Sequence, residues 1–139
     1  MKKLLLIILI FLVVGCISNE TPKEVNLEES DLLPILGTDF DFNDWKNDFT
    51  KGEGQFPELK TVLLVKLSEE KISEMIESVQ EGQRAVKEQI LSNIDVENKS
   101  VFYVEMIDQV NSSRGIIAII DAKEKKVLKF FATLGIESN

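Results

Sequence analysis

The sequence predicts a small α+β domain in which one long helix packs on a mainly antiparallel four-stranded sheet, in the order β-α-β-β-β. Three observations lead to this prediction. An aliphatic run of strand length is followed by a long stretch whose apolar residues recur at the spacing of one helix face. Three further apolar segments then follow. Their connections are short, so neighbouring strands should pair as antiparallel hairpins.

The first fifteen residues have the layout of a secretory signal. Lys2 and Lys3 give a positive start, residues 4–14 form an apolar run, and the small residue Gly15 follows. A permanent membrane helix needs about twenty apolar residues, whereas polar chain begins here at Ser18. A cleaved signal peptide is therefore the prediction, and a short uncleaved anchor is the alternative.

The residues Val13-Val14-Gly15-Cys16 resemble the lipobox of prokaryotic lipoproteins. In such proteins the cysteine thiol accepts a lipid, and each buried acyl methylene then contributes roughly 0.8 kcal/mol to membrane attachment. The resemblance implies lipidation at Cys16 and an extracytoplasmic protein anchored to the cell membrane by that lipid. Because Cys16 is the only cysteine, no disulfide is available to stabilise the exported domain.

The composition argues against several classes of function. The chain contains no histidine, which removes the usual general base of nucleophilic triads and the commonest metal ligand. Removing the signal takes two of the sixteen Lys and Arg residues and none of the twenty-four Asp and Glu residues, which leaves a net charge of −10. That charge disfavours nucleic acid and anionic lipid head groups as partners. We predict no cofactor and no enzymatic activity.

The chain after the signal is predicted to divide in two. Residues 16–38 carry the lipid and are otherwise polar, acidic and interrupted by Pro22 and Pro34, so they are predicted to form a tether. Residues 39–139 are predicted to form a single small α+β domain with its core at about residues 57–135.

An aromatic stripe opens this domain. Phe42, Trp45 and Phe49 lie three and seven residues apart, which predicts one face of a short helix capped by Asn43 or Asp44. The preferred interpretation is that the stripe packs on the core.

A calcium site is the alternative interpretation of the same stretch. Asp39, Asp41 and Asn43 match the first three ligand positions of an EF-hand loop. The turn glycine of that loop is replaced by Asp44, and its final glutamate by Thr50.

The predicted core begins with a buried strand over residues 61–67 and one helix over residues 69–93. Ser68 is the expected helix cap, and Gln83 and Lys87 are expected to face water. The apolar face keeps its phase across Gly82, which favours one helix over two. That face consists of Ile72, Met75, Ile76, Val79, Val86, Ile90 and Ile94.

The last three strands are predicted over residues 101–108, 115–121 and 126–133. Apolar residues alternate with polar ones in the first and third of them. One sheet face should therefore cover the helix and the other should be partly wet.

This order of elements resembles the cystatin-like topology, a sheet wrapped around one helix. The C-terminal part also resembles a PepSY-type domain in Tyr103-Val104-Glu105 and in Ile119-Ile120-Asp121-Ala122, followed by Val127-Leu128. The family's Thr-Gly at the hairpin tip is Glu124-Lys125 here, and the cystatin inhibitory motif Gln-x-Val-x-Gly is absent. The resemblance implies an architecture, and its PepSY part implies regulation of an extracytoplasmic peptidase.

Two patterns resemble catalytic motifs. Ser68 and Lys71 fit the SxxK spacing of penicillin-recognising enzymes, but the partner motifs are missing and Ser68 is better explained as a helix cap. Glu105 and Asp108 form one of many close carboxylate pairs that could act as acid and base. In so acidic a chain, solvated surfaces explain these pairs.

Three Asn-x-Ser/Thr sequences occur, at Asn19, Asn98 and Asn111. All three fall in predicted loops and are possible glycosylation sites of an exported protein. Turn formation is the preferred explanation of these asparagines.

Together these observations predict a non-enzymatic envelope lipoprotein whose small domain binds or positions another envelope protein, with an exposed sheet edge as the interface. The alternatives are a PepSY-like regulator of an extracytoplasmic peptidase and an enzyme that uses carboxylates alone. A binding module should show an open edge or apolar patch and no polar-lined pocket. An enzyme should show a cleft with convergent carboxylates of perturbed pKa.

Overall fold

A computed structural model describes residues 24–134 and confirms the α+β class and the single antiparallel sheet. The helices in this range are α1 (Glu29–Leu36), α2 (Phe40–Glu53), α3 (Glu69–Glu77) and α4 (Glu81–Leu91). The strands are β1 (Leu59–Lys66), β2 (Val101–Asp108), β3 (Arg114–Asp121) and β4 (Lys126–Leu134). Within residues 24–134, none of the helices is long and apolar enough to cross a bilayer.

The sheet is a meander in which consecutive strands are neighbours and every pair is antiparallel. Strands β2 and β3 lie inside it and are buried at almost every position. The short hairpin connections dictate this order, because they leave no room for a crossover. The predicted strand positions agree with the structure to within two residues at each end.

Helices cover both faces of this sheet, which corrects the prediction of one partly wet face. Phe102 and Val104 lie on the face that packs against α1 and α2. Tyr103 and Ile119 lie on the opposite face and pack with residues of α3 and α4. The cystatin-like arrangement, in which a sheet wraps around one helix, is therefore replaced by a sheet between two helix pairs.

Helix α1 lies in the segment that the sequence predicts as tether. Leu32, Ile35 and Leu36 of α1, together with Leu27 before it, are buried in the same core cluster as Phe42. A tether would therefore have to end before residue 24. The segment is polar overall, but it contains an apolar stripe at helical spacing, and α1 buries that stripe.

Helix α2 presents the aromatic stripe to the core, as predicted. Phe42 is buried and meets Phe130 of β4 edge to face, with ring centroids 6.0 Å apart. Trp45 also packs on this cluster, 6.3 Å from the Phe130 ring. The N-cap is Asp39 and not Asn43 or Asp44, because the Asp39 carboxylate accepts a hydrogen bond from the Phe42 N–H at 3.0 Å.

The single long helix predicted over residues 69–93 is wrong. Helix α3 ends at Glu77 and α4 begins at Glu81, so the break precedes Gly82. A straight helix of that length would extend about 37 Å, whereas an eight-residue strand spans about 27 Å. Breaking the helix lets both Met75 and Ile90 reach the sheet. Ser68 caps α3 as predicted, its hydroxyl accepting from the Lys71 N–H at 3.1 Å.

Strand β1 is an edge strand and not the buried strand that the sequence predicts. Among the described residues it pairs only with β2, and no β1 residue is fully buried. An aliphatic run is typical of a strand covered on both faces. Here the helices cover the middle of the sheet and leave this run at its margin.

Candidate functional site: an open sheet edge and a neighbouring cleft

The predicted modification sites are only partly within the described residues. Cys16 and Asn19 lie outside them, so lipidation stays a prediction. Asn98 lies in the turn before β2, where its side chain donates to the Asp95 carboxylate at 3.1 Å. Asn111 lies in the β2–β3 hairpin, and its side-chain oxygen accepts from the Ser113 N–H at 3.1 Å. Both asparagines thus have the turn-forming role expected of them, and glycosylation stays a prediction.

The calcium-site residues lie at the start of α2 and serve the helix. Asp39 is the N-cap and Asp41 is exposed in the first turn. The Asn43 amide nitrogen donates to the Gly37 and Asp39 carbonyls at 2.8 Å each. A helix replaces the loop that would wrap a cation. Within residues 24–134, no group of three or more Asp, Glu, His or Cys residues is arranged to hold a metal ion.

Neither enzyme-like pattern forms a catalytic arrangement, since Ser68 caps α3 by accepting from the Lys71 backbone N–H at 3.1 Å. Glu105 and Asp108 are three positions apart on β2, so their side chains point to opposite sheet faces. Asp108 is buried and accepts hydrogen bonds from the Glu58 and Val110 N–H groups at 3.2 and 3.0 Å, which is a structural role. The Lys71 ammonium pairs with Glu74 at 2.8 Å.

The outer side of β1 is an apolar edge. Val62 is 49% exposed and Leu63 is 37% exposed, at the centre of the strand. The register shifts between Thr61 and Leu63, so Val62 forms a β-bulge with no partner residue on β2. Lysines at positions 60 and 66 flank the aliphatic centre and are exposed. Lysines and bulges discourage indiscriminate strand pairing, yet the aliphatic centre of β1 stays accessible.

A cleft of about 630 Å³ lies between α4 and the strands β2, β3 and β4. Its volume is within the range of small-molecule sites. Most of its lining is apolar and comes from α4, β2, β3 and β4. The main apolar residues are Val79, Val86, Ile90, Ile107, Ile117 and Phe131.

Lys87 and Glu105 form the polar end of the cleft, and the buried Tyr103 hydroxyl contacts both of them. The Lys87 ammonium donates to the Tyr103 hydroxyl at 2.8 Å and lies 4.5 Å from the centre of its ring. The Tyr103 hydroxyl donates in turn to the Glu105 carboxylate at 3.4 Å. Burial lowers the pKa of Lys87, and the nearby Glu105 carboxylate opposes that shift. Burial, with a smaller effect of Glu105, raises the pKa of Tyr103.

Sequence reasoning missed this polar cluster. Lys87 was expected to face water, and Tyr103 to lie on a partly wet sheet face. Lys87 is instead half-buried and Tyr103 is fully buried. A signal was available, since Tyr103 is the only tyrosine and lies amid strand residues. A buried tyrosine needs a hydrogen-bond partner, and Glu105 two positions away on the same face supplies one.

The chain was compared with models of known protein families, with proteins of curated function and with solved structures, and no match was found. The function must therefore be inferred from the edge, the cleft and the predicted lipidation site.

Proposed function

We propose that this protein is a lipid-anchored, extracytoplasmic binding protein that uses the β1 edge to hold an extended segment of another envelope protein. The observation that carries the proposal is the aliphatic centre of β1, exposed at Val62 and Leu63. An edge strand offers unpaired backbone N–H and C=O groups, and an added strand satisfies them. Exposed aliphatic side chains beside those groups give such an added strand apolar surface to bury.

The lipid on Cys16 would hold the domain close to the bilayer. Eight residue steps separate Cys16 from Glu24, where the described chain begins. Extended chain covers at most about 3.6 Å per residue, so the tether reaches at most about 29 Å. The acidic protein gains little from anionic head groups, which leaves the lipid as the anchor. A partner must then be another component at the same membrane surface.

The proposed interface is tested by comparing two variants with one chemistry. Leu63→Lys places a charge on the β1 edge, where Leu63 is 37% exposed, and Leu33→Lys places the same charge on α1, where Leu33 is 53% exposed. Affinity purification from detergent-solubilised membranes should recover a partner with the wild type and with Leu33→Lys, but not with Leu63→Lys. Equal recovery with all three proteins would remove β1 from the interface.

The lipid anchor has a separate test. Cells are labelled with a clickable fatty acid or isoprenoid, and the wild type is compared with a Cys16→Ser variant. We expect label and membrane retention with the wild type alone. Equal label in both proteins would contradict the anchoring part of the proposal and leave the β1 interface untouched.

A further inference from the structure

The cleft exists because α3 and α4 cover only part of their sheet face. The covered part includes Val101, Tyr103 and Ile119. Ile107 and Phe131 lie on the same face beyond the helices and line the cleft. Gly115 lies between Ile107 and Thr133 in the sheet and contributes no side chain to the cleft floor. Helix α4 supplies the wall, where Val86 is 58% exposed although it is aliphatic.

The polar end of the cleft places a donor beside an acceptor. The Lys87 ammonium has three N–H bonds, and among the described residues it donates to the Tyr103 hydroxyl. The Glu105 carboxylate accepts from Tyr103 through one oxygen at the long distance of 3.4 Å. Both groups are only half-buried. Each therefore retains hydrogen-bonding capacity toward a ligand.

The charges at this end select the kind of ligand. Glu105 repels a carboxylate that would approach Lys87, and Lys87 repels an ammonium that would approach Glu105. A neutral group with an acceptor and a donor side by side satisfies both. The N–H and C=O of one residue in an extended peptide point to the same side and have this arrangement. The apolar remainder of the cleft then fits an aliphatic or aromatic side chain of that peptide.

We infer that the cleft binds an apolar side chain of an extended peptide, and that the backbone of the same peptide residue contacts Lys87 and Glu105. Lys87 donates to the carbonyl oxygen of that residue and Glu105 accepts from its N–H. The inference rests on the proposed function in that the peptide would belong to the protein partner. Glu105 lines the cleft and pairs with Leu63 of β1 in the sheet register. A partner held at β1 is therefore within reach of the cleft.

Photoaffinity labelling of the full chain in lipid nanodiscs tests this inference. The probe is N-acetyl-alanyl-photoleucyl-alanine amide, a neutral peptide with one photoreactive aliphatic side chain. We expect adducts within residues 79–90 and 105–117, and competition by the unlabelled peptide N-acetyl-alanyl-leucyl-alanine amide. Lys87→Met and Val86→Asp should each reduce this labelling at least about fivefold. Lys123→Met, in the exposed β3–β4 turn, should leave it unchanged.

Three outcomes would overturn the inference. One is labelling spread evenly over the chain, and another is labelling at the cleft that neither Lys87→Met nor Val86→Asp reduces. The third is preferential labelling of the cleft by a photoreactive decanoic acid, which would indicate a lipid ligand. The partner recovery described for Leu63→Lys is independent of this assay. If that recovery depends on Leu63 while cleft labelling fails, the cleft inference falls and the proposed function stands.

Discussion

Helix α1 should contribute to folding stability as a part of the core, and Leu32→Ala tests this. Leu32 is fully buried, with 0% exposure, in the cluster that contains Ile35, Leu36 and Phe42. Truncating a leucine in such a site removes its transfer free energy and leaves a cavity, at a cost of about 3 kcal/mol. The adjacent Leu33 is 53% exposed, so Leu33→Ala should change the unfolding free energy by less than about 0.5 kcal/mol.

Urea unfolding followed by tryptophan fluorescence measures both variants. Trp45 is the only tryptophan and packs against the same cluster, so its emission reports the loss of this core. With a urea m-value of about 1.5 kcal/mol/M, the Leu32→Ala midpoint should fall by about 2 M at unchanged m. If both variants unfold at the wild-type midpoint, residues 29–36 behave as a tether and the packing of α1 is refuted.

Three further predictions concern Gly115 compared with Gly82, Tyr103, and Thr61. Gly115→Ala should lower the unfolding free energy by about 2 kcal/mol or more, because the added Cβ would lie 2.5 Å from the Met106 carbonyl oxygen. A Cβ added at Gly82 in α4 would meet nothing within 4 Å apart from its chain neighbours and the helix backbone. Gly82→Ala should therefore raise the unfolding free energy by up to about 1 kcal/mol. Tyr103 is the only tyrosine and its pKa is raised by burial, so absorbance titration should show a phenol that is less than half ionised at pH 10 in the folded protein. The unfolded chain releases that proton near pH 10, so the unfolding free energy should fall as the pH rises above 10. Half-ionisation of Tyr103 at pH 10 in the folded protein would contradict its buried site. Thr61→Val should raise the unfolding free energy by about 1 kcal/mol in urea titration, because the Thr61 hydroxyl is buried without a hydrogen-bond partner among the described residues.

Local sequence patterns were sufficient to predict the elements whose structure does not depend on distant residues. The alternation along β2 and the short connections around β3 predict both strands and their antiparallel pairing, and the structure confirms them. The Ser68 cap and the aromatic stripe of α2 are equally local, and both are confirmed. These features depend on spacing within about ten residues, which a single sequence displays directly.

Features that depend on tertiary context were not predicted. Pro34 and the acidic residues near it argue against a helix in this segment, although the buried residues of α1 recur at helical spacing. The break between α3 and α4 follows from the size of the sheet, because an uninterrupted helix would overrun it. The edge position of β1 and the cleft beside α4 follow from where the helices end. Neither the β1 sequence nor the α4 sequence contains a pattern that indicates where the helices end over the sheet.

Site-specific photocrosslinking in intact cells tests the β1 interface most directly. A photoreactive amino acid replaces Val62 on the β1 edge, and in a matched protein it replaces Val110, which is also exposed, 65%, in the β2–β3 hairpin. We expect a discrete adduct with one envelope protein from position 62, lost when Leu63→Lys is combined with it, and no such adduct from position 110. Equal crosslinking from both positions, or none from position 62, would contradict the proposal that this edge binds the partner.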